Sequence, residues 1–406
     1  MKILVINGDC LQVNSSANLC HLAYLRGFLE AGHEVTLLSA DGRDYVLDPA
    51  MKIPAEVKCI SFYSVSLYEK MSLRKRAAAQ AADGQAGASS EATPSFKQKT
   101  LGKLKYLVLS LYGAHGINAP FVRKAKRFSA EKEFDYVISL SHPPASHLLA
   151  YKLLSSGHVR SHHWIQIWED PWYSDAYGIN RKASVFRGEK RLLSVAERIC
   201  YVSPLTLENQ KKLFPESAHK MFWQPLPSYY TPSAGADGKA DRQLFGYFGA
   251  YSPEARNLAP FYEAAKETGI RVNICGEPSN LFQATDNIRI YPRLPLNELR
   301  PFEEETGVLV FLCNRAGGQI PGKLYQYAAT DKTILFILDG SEEEKQVLRD
   351  YFTPYQRFVF CENDAEDIAI SIRKICAGEL GEVKNRRLTE FEPKKIVRKI
   401  LEEGAQ

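Results

Sequence analysis

Short apolar runs alternate along most of the chain with longer segments of helical period. Residues 2–7, Lys-Ile-Leu-Val-Ile-Asn, fit a buried strand, and 17–31 carries Leu19, Leu22, Ala23, Leu25 and Leu29 at the spacing of one helix face. Gly32 and His33 stop that helix and 35–39 is the next strand, which makes a βαβ opening. Further strands are expected at 134–139, 164–168 and 198–203, the last closing the first half. A second series begins at 244–249 and repeats at 272–276, 288–291, 308–313, 333–338 and 358–361, with helical segments between most of its members. Strands joined through helices must run parallel, so each half is expected to be a doubly wound α/β sheet covered on both faces.

The stretch between the two series changes character. Residues 224–239 are rich in proline, glycine and small side chains, which places a linker at 226–243, between a first domain of 1–225 and a second of 244–390. Residues 391–406 carry a last helix. Residues 77–95 hold only small and polar side chains and cannot bury enough surface to order themselves, so a mobile loop is expected there. After it, Lys97, Lys99, Lys103 and Lys105 alternate with Leu101, Leu104, Leu107 and Leu111. That pattern suits either a solvated helix face or a helix lying on an anionic membrane surface.

Composition narrows the function classes. With 406 residues, 45% hydrophobic and 24% charged, the chain can build two cores. It has no apolar run long enough to span a bilayer, and 2–7 reads as a strand rather than a signal peptide. The expected location is cytoplasmic, at most peripheral at the inner face of the membrane. A net charge of +5 suits phosphate-bearing ligands but is too weak to point to nucleic acid. The eight cysteines are scattered without a C-x-x-C pair, and are expected to be reduced core residues with no metal. The first loop, 8–16, lacks the G-x-G-x-x-G that a nicotinamide dinucleotide requires.

The most informative chemistry follows the apolar run 308–313. There, Gly317 and Gly318 permit a sharp turn, Gln319 and Ile320 lead into Pro321 and Gly322, and Pro321 pre-sets φ for a helix running to about Ala329. Such a helix start aims unpaired N–H groups and a positive dipole end at the strand edge, and Lys323 adds a full charge. In the first half, Glu169-Asp170-Pro171-Trp172 ends a strand, where open α/β sheets place ligands; Asp170-Pro171 also suits a simple turn and Trp172 a core position.

The segment Ile320-Pro-Gly-Lys-Leu-Tyr-Gln-Tyr, followed by Asp331-Lys-Thr-Ile-Leu335, resembles the donor-site segment of bacterial glycosyltransferases of the GT-B fold, retaining family 4. Two distant stretches share the likeness: the opening strand, helix and strand, and 135–150 with its Ser141-His142-Pro143-Pro144 followed by Asp170-Pro171-Trp172. The resemblance implies two Rossmann-like domains facing a cleft, with the C-terminal helix crossing back to the first. It also implies transfer of a sugar from a nucleoside-diphosphate sugar to a saccharide or lipid-linked acceptor, with no other cofactor, in surface polysaccharide assembly.

Residue by residue, the likeness puts Gly249, Arg256, Gly276, Arg293, Leu294, Gln319, Ile320, Pro321, Gly322, Lys323 and Gln326 on the donor side. Arg256 and Lys323 would meet the phosphates, Gly276 would let backbone approach the nucleotide, and Arg293-Leu294 would meet the base. Ser15, Ser16, His142 and Trp172 would lie on the acceptor side with Asp170, an acceptor contact or catalytic base, although Ser15 and Ser16 equally suit a helix N-cap. One departure stands out. The family's E-x(7)-E falls on Gly318 and Gln326, which leaves an amide for the ribose and nothing for the sugar. That departure keeps a second reading open, a GT-B nucleotide-binding subunit without catalysis, and behind it a nucleotide-sugar epimerase.

Overall fold

The computed structural model describes residues 1–65, 70, 116–174, 181–229, 241–277 and 279–405. The loop expected at 77–95 and the basic segment at 97–112 lie outside them, as does most of the linker.

The first sheet has the order β3-β2-β1-β4-β5-β6-β7, with all strands parallel. Its strands are β1 (Lys2–Asn7), β2 (Glu34–Ala40), β3 (Lys58–Phe62), β4 (Phe134–Ser141), β5 (Ser161–Trp168), β6 (Arg198–Tyr201) and β7 (Met221–Trp223). The second sheet has the order β10-β9-β8-β11-β12-β13, again all parallel. It comprises β8 (Asp241–Phe248), β9 (Arg271–Cys275), β10 (Ile288–Tyr291), β11 (Thr306–Leu312), β12 (Thr333–Leu338) and β13 (Phe358–Glu362). Central strands such as β1, β11 and β12 are apolar on both faces because helices cover both, and β12 is buried throughout.

Two strands were not expected. β3 is an edge strand whose residues are all exposed or half-buried, so it lacks the continuous apolar signal. β7 has three residues and pairs with β6, so the first sheet closes one strand later than 198–203. It stands directly before the proline-rich linker, which hides it.

In each sheet the order reverses beside the first strand, between β1 and β4 and between β8 and β11. Loops leaving those strands diverge and open a crevice at their carboxyl ends, where α/β sheets bind ligands. The two domains place these edges face to face. The last helix, Pro393–Gly404, runs back over the first domain: Tyr136 Oη donates to Leu401 O at 3.3 Å, and Gly27 of the helix Ser16–Glu30 sits so close to Pro393 that a Cβ there would lie 2.6 Å from its carbonyl. Among the described residues no helix is long and apolar enough to cross a membrane, and all eight cysteines are free thiols.

Candidate active site

A cleft of about 340 Å³ lies between the two carboxyl edges, within the range of small-molecule sites. Its second-domain wall comes from four strand ends. β8 delivers Gly249, Ala250 and Arg256, and β9 delivers Cys275, Gly276 and Glu277; β10 contributes Arg293 and Leu294, and β11 contributes Asn314 and Gln319 to Lys323. The first-domain wall has Asn14 and Ser16 before and at the start of the helix Ser16–Glu30, Ala17, Leu19 and Cys20 within it, Glu169 and Asp170 after β5, Val202 after β6, and Leu226 after β7.

Arg256 is fixed from both sides. Its backbone exchanges bonds with Ser252 (2.9 and 3.0 Å), which folds 252–256 into a tight antiparallel turn. Its Nε donates to Asn314 Oδ1 at 2.7 Å and Nη1 to Ala250 O at 3.3 Å, while Nη2 has no acceptor among the described residues. A guanidinium anchored this way presents its remaining donors in one orientation, which suits phosphate.

The turn after β11 differs from expectation in one respect. The α-helix spans Lys323–Ala328, two residues later than Pro321. Pro321 and Gly322 form the turn before it, with Leu324 N donating to Pro321 O at 3.1 Å and Tyr325 N to Gly322 O at 3.2 Å. Among the described residues the N–H groups of Gly322 and Lys323 find no acceptor, and both residues line the cleft. Lys323 Nζ sits 2.6 Å from Oε1 of the buried Glu303, so its charge is held in place and partly neutralised.

The glycines do different work from one another. A Cβ on Gly276 would lie 1.9 Å from Gly249 O, so glycine is required for two strand ends to meet, before any ligand is considered. Gly322 brings its turn within reach of the first domain, where a Cβ would touch Cys20 Sγ at 3.3 Å. Gly318, at φ +72°, would put a Cβ 2.9 Å from Leu205 Cβ, and its carbonyl accepts from Ser203 Oγ at 2.6 Å and Thr206 Oγ1 at 3.2 Å. The first domain therefore occupies the space a side chain at 318 would need.

Four of the residues named from sequence do not line the cleft. Gln326 is buried and its Oε1 accepts from Tyr229 N at 3.0 Å, binding the linker instead. Trp172 belongs to a core cluster with Trp168 and lies so close to Gly188 that a Cβ there would sit 2.9 Å from the indole. Ser15 caps its helix, Oγ accepting from Asn18 N at 3.1 Å. His142 is exposed, between the cis bonds Ser141–His142 and His142–Pro143. The other twelve residues, Asp170 and Ser16 among them, meet in one cavity.

Sequence reasoning passed over Asn14, Cys20, Glu169 and Glu277. Arg293 Nη2 donates across the cleft to Asn14 O at 2.9 Å, and Asp48 Oδ2 accepts from both Asn14 Nδ2 (2.9 Å) and Leu296 N (3.1 Å), so the two domains are tied beside the cavity. Burial pushes the Cys20 thiol well above its usual range and raises the Glu169 carboxyl, with nearby His21 opposing the rise. Among the described residues no three His, Cys, Asp or Glu side chains group closely enough to hold a metal ion.

No protein-family model and no curated protein matches the chain. Solved structures do. A sucrose-phosphate synthase from Thermosynechococcus elongatus aligns over 99% of this chain and 97% of its own, with a TM-score of 0.62 at 13% identity. The fold is GT-B. A glycosyltransferase from Rickettsia africae (TM-score 0.54, 11% identity, 99% and 97% covered) and a lipopolysaccharide outer core galactosyltransferase (0.52, 14%, 99% of both chains) share this GT-B arrangement. At these identities the likeness concerns the fold, and chemistry must be argued from the cleft.

Proposed function

We propose that this protein is a glycosyltransferase that moves a sugar from a nucleoside-diphosphate sugar to a saccharide or lipid-linked acceptor. The observation that supports this reading most is the anchored Arg256 guanidinium lining one cavity with the open amides of Gly322 and Lys323. Breaking the bond between the anomeric carbon and the diphosphate leaves negative charge on the leaving oxygens. Fixed cations and backbone N–H groups stabilise that charge without rearranging during the reaction. Here Arg256 and Lys323 take that role in place of a divalent metal. The leaving diphosphate takes the acceptor proton on the same face, so the sugar keeps its configuration and no protein base is required. Arg293 and Leu294 border the base, and Asp170 stands on the acceptor side. The proposed setting, surface polysaccharide assembly at the inner face of a membrane, follows from the family likeness.

A GT-B binding subunit without catalysis is the second reading, because Gly318 is filled by Leu205 and Gln326 is spent on Tyr229. Incubation with UDP-, GDP-, dTDP- and ADP-sugars separates the two. Slow release of free diphosphate is expected of the transferase. Binding without release across the panel, with saccharide acceptors supplied, would favour the subunit.

A further inference from the structure

Three carboxylates line the cleft among the described residues: Glu277, Asp170 and Glu169. Glu277 is exposed on the second domain and accepts from Arg293 N at 3.4 Å, beside the proposed base. Asp170 is exposed. Glu169 is of another kind. It is buried at the cleft floor, and its Oε1 lies 3.3 Å from Nε2 of His21, close enough to attract but misaligned for a full hydrogen bond. His21 is wholly buried on the helix Ser16–Glu30, and among the described residues neither of its ring nitrogens is hydrogen-bonded. Glu169 Oε2 accepts no bond among the described residues and, unlike Oε1, is not sealed from the cavity.

A buried imidazole with two idle nitrogens is costly where a leucine would pack, as Leu19, Leu22 and Leu25 do on the same helix. A carboxyl with one oxygen toward that imidazole and the other toward a ligand cavity explains why the cost is borne. Position 318, packed against Leu205 at the seam between the domains, has no room for a side chain.

Resting on the donor reading above, we propose that Glu169 is the sugar-specificity residue of this cleft, its Oε2 holding a hydroxyl of the transferred sugar while His21 positions the carboxyl from behind. Engagement of Oε2 by a hydroxyl turns the carboxyl so that Oε1 meets Nε2 squarely, which gives that nitrogen its partner only in the loaded state. Burial raises the carboxyl's pKa and so favours the protonated form, which can donate to a sugar oxygen as well as accept. Glutamine offers the same pair of functions.

Isothermal titration of the full chain with UDP, GDP, dTDP and ADP, and with the glucose and N-acetylglucosamine esters of each, identifies the tightest diphosphate and sugar pair. Glu169→Ala is then expected to weaken binding of the sugar ester about tenfold, the scale of one lost hydrogen bond, while the free diphosphate binds as before. Glu169→Gln should keep both affinities within about threefold, and His21→Phe, which preserves a ring in the core, should fall between the two. Glu169→Ala that weakens ester and diphosphate equally, or neither, overturns the proposal, as does Glu169→Gln behaving like Glu169→Ala. If no nucleotide binds the wild type, the donor reading itself falls and takes this inference with it.

Discussion

Across the cleft, Arg256, Arg293, Lys323 and a glycine-rich turn on the second domain confront Glu169, Asp170, Cys20 and Ser16 on the first. One wall is cationic and made largely of backbone held in unusual proximity. The other is acidic and built from side chains, of which Glu169 rests against the buried His21. The difference suggests a division of labour: the second domain supplies charge for phosphates, whose geometry is the same for every donor, and the first supplies groups that can tell one hydroxyl pattern from another. Breaking either wall should therefore leave a distinct signature.

The largest effect is expected where the cationic wall depends on bare backbone. Gly276→Ala places a methyl 1.9 Å from Gly249 O, so β8 and β9 must part at their ends, at a cost of about 3 kcal/mol or more. Urea unfolding should show this loss of stability, and an unchanged midpoint would mean that the two glycines do not touch. Arg256→Ala comes next. It should weaken nucleoside-diphosphate binding by about 1.5 to 3 kcal/mol, the scale of a charge-assisted hydrogen bond, with unfolding little altered. An unaltered dissociation constant removes Arg256 from the site.

The acidic wall is tested through its support. Glu189 is buried behind the turn after β5, where it accepts from Tyr173 N at 2.6 Å. Burial raises its carboxyl from 4.5 to about 7. A pKa raised by folding contributes stability that is present in full below the unfolded value and is lost as pH climbs through the folded one. The wild type should thus lose about 3 kcal/mol between about pH 4.5 and 7 from this group. Glu189→Gln should flatten that part of the stability curve, and an identical slope would show that the carboxyl is not responsible. The smallest effect concerns the seam between the walls. Gly318→Ala strains a left-handed residue against Leu205 and should cost about 1 to 2 kcal/mol, visible as a lower thermal midpoint.

The same contrast explains what could be read from the letters. The turn at 317–323 is contiguous, and its glycines, proline and lysine act through local backbone geometry, so strand, turn and charge were legible together. The two-sheet architecture was legible too, because buried parallel strands are apolar on both faces. Trp172 was not, since an aromatic after a strand end serves core and cleft alike until Gly188 is seen beneath it. Gln326 pointed to the cleft only by alignment with a motif, whereas its amide is engaged by the linker at Tyr229. Glu169 stood in plain sight beside Asp170, but its meaning depends on His21, a polar residue on an apolar helix face whose partner only the fold brings near.

The central claim, that paired phosphates sit between the Arg256 guanidinium and the amides of Gly322 and Lys323, is tested most directly by crystals soaked in turn with UDP, GDP, dTDP and ADP. The account predicts phosphate oxygens within about 3 Å of Arg256 Nη2 and of those two backbone nitrogens. A diphosphate bound elsewhere in the molecule, or one in the cleft that leaves both amides untouched, would contradict it.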